Sequence, residues 1–319
     1  MSLSSNTENI RYNGTGRAYA ADVGGAGMIE LGEMDGLNFS VDISSEQLKS
    51  TRHAARAVIL ETETDRTAKV SFGLREMSEE NLKMALLGSA VNTDNQVAGN
   101  VYQTAPGFID DQFIDLGQMN VFITKISGAL TGAIAVGDTV TGATSGATGK
   151  VAFVGSGFIE LVNVSGTFQA GEQVEVDASN YLTASGVEKL EDVCVTDSTG
   201  AARRAQGTDY SLDPDYGYLR KLSGGGMAGS DVVSYDYEAV DRKYLWGLSA
   251  GSVEKKLVFV SDKDDIGPRQ RWTFHKVKIN LNGDFPLIGD GAATLAVSAT
   301  VLADTSRPSG QEYYKVEMM

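Results

Sequence analysis

Residues 29–88, IELGEMDGLNFSVDISSEQLKSTRHAARAVILETETDRTAKVSFGLREMSEENLKMALLG, are the stretch that determines the fold. Apolar and polar residues alternate from Leu37 to Ile43 and again from Ala68 to Leu74. This period of two is typical of a strand with one buried face and one face in water. The stretch therefore predicts two strands, each with an apolar face that must pack against another layer.

A helix is predicted directly after the second strand, over residues 79–87. Ser78 provides an N-cap, because its hydroxyl can accept a backbone N–H of the first turn. Leucines at 82, 86 and 87 give the helix an apolar face, and Gly88 suits its C-terminal cap. One amphipathic helix against a two-faced strand pair forms a compact unit.

The segment between the two strands, residues 44–60, is too long and too charged for a tight hairpin turn. We expect it to be a projecting loop whose charged side chains contact a neighbouring molecule: Glu46, Lys49, Arg52 and Arg56. The polar faces of the two strands must then lie in water. We expect one shared polar face, formed by Asn38, Ser40, Asp42, Glu61, Glu63, Asp65 and Lys69.

The ordered pattern in this stretch resembles the major tail (tail tube) proteins of long-tailed bacteriophages. The shared features are an ELG-x-x-x-x-L opening, an LKS-x-R loop, an R-T-A-x-V-S-F strand and an S-x-E-N-L-x-x-A-L-L-G helix. Residues 256–304, KLVFVSDKDDIGPRQRWTFHKVKINLNGDFPLIGDGAATLAVSATVLAD, are similar to the closing part of that family. The two segments cover about a third of the chain.

The resemblance implies a structural virion protein with a mainly β, sandwich- or barrel-type subunit flanked by one helix. Such subunits form hexameric rings that stack into a hollow tube, through which phage DNA passes without specific binding. The charged loop would then contact the next ring, and the shared polar face would line the lumen. The implied partners are copies of the chain and the tail terminator, tape measure and baseplate or tip proteins. The protein would be made in the bacterial cytoplasm and reside in the virion.

Two alternatives remain open at this stage. One is the inner tube of a contractile tail or of a related injection system. The other is a serine esterase-like hydrolase, because Gly247-Leu248-Ser249-Ala250-Gly251 matches G-x-S-x-G and is followed by Asp264 and His275. That motif needs a sharp strand-to-helix turn, whereas the residues after Gly251 are strand-like, so we interpret this stretch as an ordinary turn.

Composition argues against nucleic-acid binding, a zinc site and a membrane span. With a net charge of −15 over 319 residues, the chain lacks the clustered Lys and Arg of a nucleic-acid-binding surface. The pairs Arg203-Arg204 and Arg269/Arg271 are interpreted as loop charges or partners of acids. Two histidines and one cysteine are too few for a zinc site, and we expect no cofactor. No apolar run approaches the ~20 residues of a membrane span, so no membrane insertion is expected.

Composition also suggests domain boundaries. Residues 127–186 are rich in Gly, Thr, Val and Ala, with strand-like runs about ten residues apart. We predict here a small inserted all-β domain that decorates the outside of the tube. The core domain would comprise residues 1–126 and residues 187–319, the latter ending in a C-terminal arm. Residues 1–27 are either a disordered tail or an arm that contacts a neighbouring subunit.

Overall fold

The computed structural model of the chain describes residues 15–52, 56–251, 253–262 and 269–318. Over these residues the protein is mainly β, with 22 strands and a single helix, which confirms the predicted fold class at this level. The chain divides into two compact units. Unit 1 comprises Met1–Asn92 and Tyr244–Met319, and unit 2 comprises Thr93–Lys243.

The helix is α1 (Glu79–Ala85). The strands, in chain order, are β1 (Gly16–Asp22), β2 (Ile29–Glu30), β3 (Met34–Lys49), β4 (Val58–Leu74), β5 (Val91–Thr93), β6 (Gly99–Thr104), β7 (Phe113–Asp115), β8 (Val121–Thr131), β9 (Thr139–Gly142), β10 (Thr148–Gly155), β11 (Phe158–Ser165), β12 (Gln173–Asp177), β13 (Asn180–Leu190), β14 (Cys194–Thr196), β15 (Tyr210–Asp213), β16 (Tyr218–Lys221), β17 (Val232–Tyr237), β18 (Lys243–Leu245), β19 (Val253–Ser261), β20 (Gln270–Leu281), β21 (Leu295–Val301) and β22 (Tyr314–Met318).

Unit 1 is built on one eight-stranded antiparallel sheet. Seven strands follow the order β2-β1-β19-β20-β21-β4-β3, and β22 pairs with the free half of β20. Val70, Phe72, Val277 and Leu295 belong to the buried cluster on one face of this sheet. The predicted apolar faces of β3 and β4 therefore pack where expected, because Phe39 is opposite Val70 and Leu37 is opposite Phe72.

Helix α1 begins as predicted. Ser78 is its N-cap, and the Ser78 Oγ accepts the backbone N–H of Asn81 at 3.3 Å. Met84 and Ala85 are buried and belong to the same cluster as the sheet residues of unit 1. The helix therefore covers part of the apolar face of the sheet, which is why its inward side carries small and flexible apolar residues.

The helix ends two residues earlier than predicted. Leu87 rather than Gly88 adopts the left-handed conformation, with φ of 52°, and the Gly88 N–H donates to the Lys83 carbonyl at 2.8 Å. Together these form a Schellman-type C-cap. Gly88 is required for a different reason, because a Cβ there would lie 2.1 Å from the Leu245 side chain.

Both chain termini contribute strands to the sheet of unit 1. β1 pairs with β19 along its whole length, from Gly16 opposite Ser261 to Asp22 opposite Lys255. Residues 16–22 are therefore neither a disordered tail nor an arm on a neighbouring subunit. Residues 1–14 lie outside the described residues. β22 pairs with β20 within the same chain, so this part of the predicted C-terminal arm also belongs to the sheet.

Unit 2 contains a closed six-stranded β-barrel. Its strands follow the order β8-β13-β12-β9-β10-β11, and β11 pairs again with β8, so that the barrel has no free edge. Ile126, Val151, Ile159 and Leu182 are among the buried residues of its interior. The glycine-rich segment TGATSGATG forms the β9–β10 hairpin, because strand-forming valines flank it on both sides.

The rest of unit 2 extends the barrel and adds a second core. Strand β17 pairs with β8, β14 and β6, while β15, β16 and β7 form a separate three-stranded sheet. Tyr210, Leu219, Val195 and Tyr235 belong to the second buried cluster. β5 and β18, where the chain passes between the units, pair with each other.

Unit 2, Thr93–Lys243, includes more residues than the predicted insertion, residues 127–186. Residues 127 and 186 lie inside strands β8 and β13, and Ser127 and Gly186 are directly opposite each other in the ladder. The predicted boundaries therefore cut through the barrel rather than around it. The physical reason is that residues 93–126 and 187–243, whose composition is ordinary, supply the second core of the same unit.

Candidate functional site

The most unusual feature of unit 1 is a long two-stranded extension of β3 and β4. β21 pairs with β4 only from Leu74 to Ala68. Beyond that point, residues 42–49 of β3 and 58–67 of β4 pair only with each other; we call these residues the ribbon. At about 3.3 Å per residue, the ribbon extends about 30 Å past the end of β21.

The ribbon corrects the prediction of a loop over residues 44–60. Glu46 is in β3 opposite Thr62, and Lys49 is opposite Val58. Between the two strands the structure describes residues 50–52 and 56–57, where Arg52 and Arg56 are exposed. The polar sequence between the strands was taken for a loop, but charged side chains are compatible with a strand that has both faces in water.

Apolar side chains are exposed along the ribbon and at its base. They are between 46% and 62% exposed: Val41, Ile43, Leu48, Val58, Ile59 and Leu60. Single exposed apolar residues are ordinary, but six of them on and beside one projecting element indicate an interaction surface. These residues identify the ribbon as the candidate site for binding another protein chain.

A free strand edge lies beside the same apolar residues. β3 pairs with β4 along one edge, and across the described residues its other edge pairs with no strand over its whole length. Unpaired N–H and C=O groups on a long edge form a template for a strand from another chain. The ribbon therefore offers both apolar contacts and backbone hydrogen bonds.

An open groove adjoins the base of this edge. It has a volume of about 1230 Å³ and is lined by residues of β1, β3 and β20, including Arg17, Phe39 and Trp272. Phe39 makes ring contacts with Trp272 and Phe274 at centroid distances of 5.4 and 5.5 Å. The groove therefore lies between the two edges of the sheet, and the aromatic rings of Phe39, Trp272 and Phe274 line its floor.

A β-bulge changes which ribbon residues share a face. Ser44 is opposite Asp65, but Ser45 is opposite Glu63, so Thr64 is the extra residue. Asp65 therefore lies on the face of Asp42 and Lys69, whereas Glu63 and Glu61 lie on the opposite face.

Side-chain contacts agree with this assignment. The Ser45 Oγ donates to Glu61 Oε1 at 2.5 Å, and Arg66 pairs with Glu63. On the other face, the Lys69 Nζ lies 3.7 Å from Asp42 Oδ2. The predicted single polar face is thus wrong for Glu61 and Glu63; Asn38, Ser40, Asp42, Asp65 and Lys69 remain together, and we call these five residues the polar face.

The described residues of the alternative catalytic set, Ser249 and His275, lack the setting that the motif requires. The Ser249 Oγ donates to the Trp246 carbonyl at 2.7 Å and accepts the Ser89 N–H at 2.8 Å. The strand that follows Ser249 is β19, so the helix required by the nucleophile motif is missing. His275 is buried in β20, where burial lowers its pKa, and Asp264 lies outside the described residues.

The described residues offer neither a metal site nor a membrane-spanning helix. In the part of the chain that the structure describes, no group of three or more His, Cys, Asp or Glu residues is placed to hold a metal ion. The described helix is too short to cross a membrane. Among the described residues, the ribbon therefore remains the candidate site, and no metal centre is added to it.

Two partly buried arginines of unit 2 pair with acids of the same unit. Arg203 donates to Glu160 at 2.8 Å and to Asp192 at 3.0 Å, and Arg204 donates to Asp231 at 2.6 Å. These pairs are consistent with the interpretation of the two arginines as partners of acids within the subunit. Buried pairs of this kind hold loops in place, because removing one partner leaves the other charge uncompensated.

Glu172 is another charged group of unit 2 with a structural role, and the sequence gave no sign of that role. Its carboxylate is 5% exposed and accepts the N–H groups of Gln169, Ser145 and Thr144 at 2.6, 2.9 and 3.2 Å. Burial raises the pKa of this carboxyl, but the N–H donors outweigh that effect and hold the pKa below its ordinary value. Glu172 therefore fixes the β9–β10 turn as an ionised group.

Comparison with known proteins identifies one family. A family model described as a protein of unknown function, UCP028589, matches residues 11–146 and 159–316. The matched residues make up most of the chain and include the ribbon and the groove. No curated protein matches the chain.

Proposed function

The chain belongs to the family of unknown function UCP028589, and we propose that it is a structural subunit of a bacteriophage tail tube. In this proposal copies of the chain form hexameric rings, and the rings stack into a hollow tube that conducts DNA. The resemblance of residues 29–88 and 256–304 to major tail proteins is the reason for proposing a tail tube. The ribbon is the reason for proposing that the protein assembles with copies of itself.

The observation that carries the proposal is the combination of exposed apolar residues and an unpaired edge on β3. Fully burying a Val, Leu or Ile side chain stabilises a complex by about 1.5–3 kcal/mol relative to leaving it exposed. The six apolar residues of the ribbon and its base, each at least 46% exposed, could therefore contribute several kcal/mol to an assembly. Part of that gain offsets the cost of association.

A ring of subunits provides a natural partner for this edge. β3 of one copy would lie beside the groove and the opposite edge of its neighbour's sheet, formed by β2 and the parts of β1 that β2 leaves uncovered. Repeated around a ring, this pairing would join the sheets into one continuous barrel and would remove the free edges. The aromatic floor of the groove supports this arrangement, because it offers apolar contact to an incoming strand.

The polar face would then line the lumen, since the apolar face of the same strands packs on the core of unit 1. The polar face has two acids, Asp42 and Asp65, and one base, Lys69. An excess of negative charge repels phosphate, so DNA would pass without adhering. The tail terminator, tape measure and baseplate or tip proteins would bind the ends of the tube. The inner tube of a contractile system fits the same observations.

Shortening the ribbon tests the proposal. Residues 45–64 are replaced by Asn-Gly, which forms a tight two-residue turn between the opposed residues Ser44 and Asp65. Apart from Ser50, the removed residues that the structure describes are exposed, so we expect the shortened chain to keep a β-type far-UV circular dichroism spectrum and the thermal unfolding of the full chain. We also expect no rings or tubes by negative-stain electron microscopy, whereas the full chain at raised concentration forms them. Tubes from the shortened chain would contradict the proposal.

A further inference from the structure

The loop between β20 and β21, residues 282–294, exposes two adjacent apolar side chains. Leu287 is 86% exposed and Ile288 is 98% exposed. Phe285, in the same loop, packs against the buried cluster of unit 1 and anchors the loop there. An anchored loop that presents two branched aliphatic residues to water is suited to bind a partner.

This loop and the ribbon tip lie at opposite ends of the same sheet. β4 runs from Val58 at the tip to Leu74, and Leu74 is opposite Leu295, the residue that follows the loop. A contact between the tip of one copy and the loop of another is therefore head-to-tail. Such a contact uses two different surfaces, and it continues from copy to copy without closing on itself.

The two surfaces are complementary in charge and in apolar content. Residues 49–57 at the tip contain Lys49, Arg52 and Arg56 and no acid. Residues 282–293 contain Asp284 and Asp290 and no base. Each charged group is accompanied by exposed aliphatic residues, which are Leu48 and Ile59 near the tip and Leu287 and Ile288 in the loop.

We propose that residues 282–294 of one copy are the receptor for the ribbon tip of the next copy along the tube. The inference rests on the proposed tube and adds to it the surface that accepts the tip. The occupant is a second copy of this chain, because both complementary surfaces belong to it and face in opposite directions. The contact would set the polarity of the tube.

Charge reversal tests the pairing. One variant carries Lys49→Glu, Arg52→Glu and Arg56→Glu, and the other carries Asp284→Lys and Asp290→Lys. Each variant alone brings like charges together at every tip-to-loop contact, so we expect no stacked tubes from either at low salt. An equimolar mixture restores opposite charges, because each reversed tip can bind a reversed loop. We therefore expect tubes from the mixture alone, seen by electron microscopy and sedimentation.

A matched control reverses exposed charges that belong to neither surface. Glu188→Lys with Asp215→Lys, both in unit 2, should assemble like the wild type. In addition, Leu287→Ser with Ile288→Ser should raise the concentration needed for tubes about tenfold, which corresponds to about 1.4 kcal/mol. All these side chains are exposed, so circular dichroism should show unchanged folding.

The outcomes separate the two proposals. Normal tubes from either charge variant alone, or none from their mixture, would overturn the tip-to-loop contact and leave the tube itself standing. Isolated rings from the single variants and tubes from the mixture would support the contact. Failure of the wild type to assemble at any concentration would overturn the tube and the contact together.

Discussion

Glu172 links two parts of the barrel through a single carboxylate. It accepts N–H groups from the β9–β10 turn, at Thr144 and Ser145, and from Gln169 before β12. Such a group is stabilising only while it is ionised, since a protonated carboxyl loses much of its strength as an acceptor. Its effect on stability should therefore depend on pH.

We predict that Glu172→Gln destabilises unit 2 at neutral pH by about 1.5–3 kcal/mol, the usual contribution of hydrogen bonds to a charged group. The folded-state pKa lies below the unfolded-state value, so this stabilisation is complete above the unfolded pKa. It is lost as the pH falls through the folded pKa. The difference between wild type and variant should thus shrink on acidification to about pH 3, in urea unfolding followed by circular dichroism.

Glu175→Gln, in the neighbouring strand β12, is the matched control, because this side chain is only partly buried. It should change stability little at any pH. A Glu172→Gln deficit that stays constant with pH would contradict the ionised role. The sequence could not reveal this role, because GEQVEV reads as an alternating strand, and the turn that Glu172 fixes lies about 27 residues away in sequence.

The Thr64 bulge shows where strand patterns stop being informative. From Leu37 to Ile43 and from Ala68 to Leu74, apolar and polar residues alternate, and the sequence predicted correctly which residues of these segments share the apolar face. Beyond Ala68 every side chain is in water, and Glu61 to Thr67 contains no apolar residue that could mark a face. An extra residue there reverses the two faces without leaving a trace in the pattern.

Cysteine pairs test the bulge directly. Ser45 and Glu63 are opposed in the ladder, so we expect the Ser45→Cys, Glu63→Cys variant to form a disulfide within the chain on mild oxidation. Glu46→Cys with Glu63→Cys is the control, because these two side chains lie on opposite faces. Mass spectrometry of non-reduced peptides measures both. Crosslinking of the control pair, with none in the first pair, would place Glu63 on the face first predicted.

The division into units could be predicted only in part from the sequence. The glycine-rich composition of residues 127–186 marked the barrel strands, because tight turns between short strands need glycine. It did not mark the flanks of unit 2, whose strands have ordinary composition and pair across long sequence distances. The sequence also failed to predict that β3 and β4 continue into the ribbon. There the composition is unusual, and its many charged residues were interpreted as a loop.

Unit 2 should be removable at its true boundary. The Asp94 N–H donates to the Arg242 carbonyl at 2.8 Å, so a short Gly/Ser bridge can replace residues 95–241. We predict that the remaining chain folds and still forms tubes, because the ribbon, groove and receptor loop all belong to unit 1. Circular dichroism and electron microscopy measure the two properties.

Excision of residues 127–186 provides the comparison. It cuts β8 and β13 in mid-strand and leaves half-strands without barrel partners, so this chain should aggregate. A folded 95–241 excision that forms no tubes would instead show that unit 2 takes part in assembly.

The close approach of Asp94 and Arg242 has a consequence for synthesis on the ribosome. Unit 1 is encoded in two pieces, and all of unit 2 emerges between them. Closing an unstructured loop of that length costs about 4 kcal/mol, whereas a prefolded unit 2 holds its ends together in advance. Nascent chains fold from the N-terminus, so unit 2 can fold first, and β4 acquires its partner β21 only after unit 2 has been synthesised. The ribbon is thus synthesised before unit 2 but gains a completed sheet to project from only after unit 2 has emerged, which delays self-association.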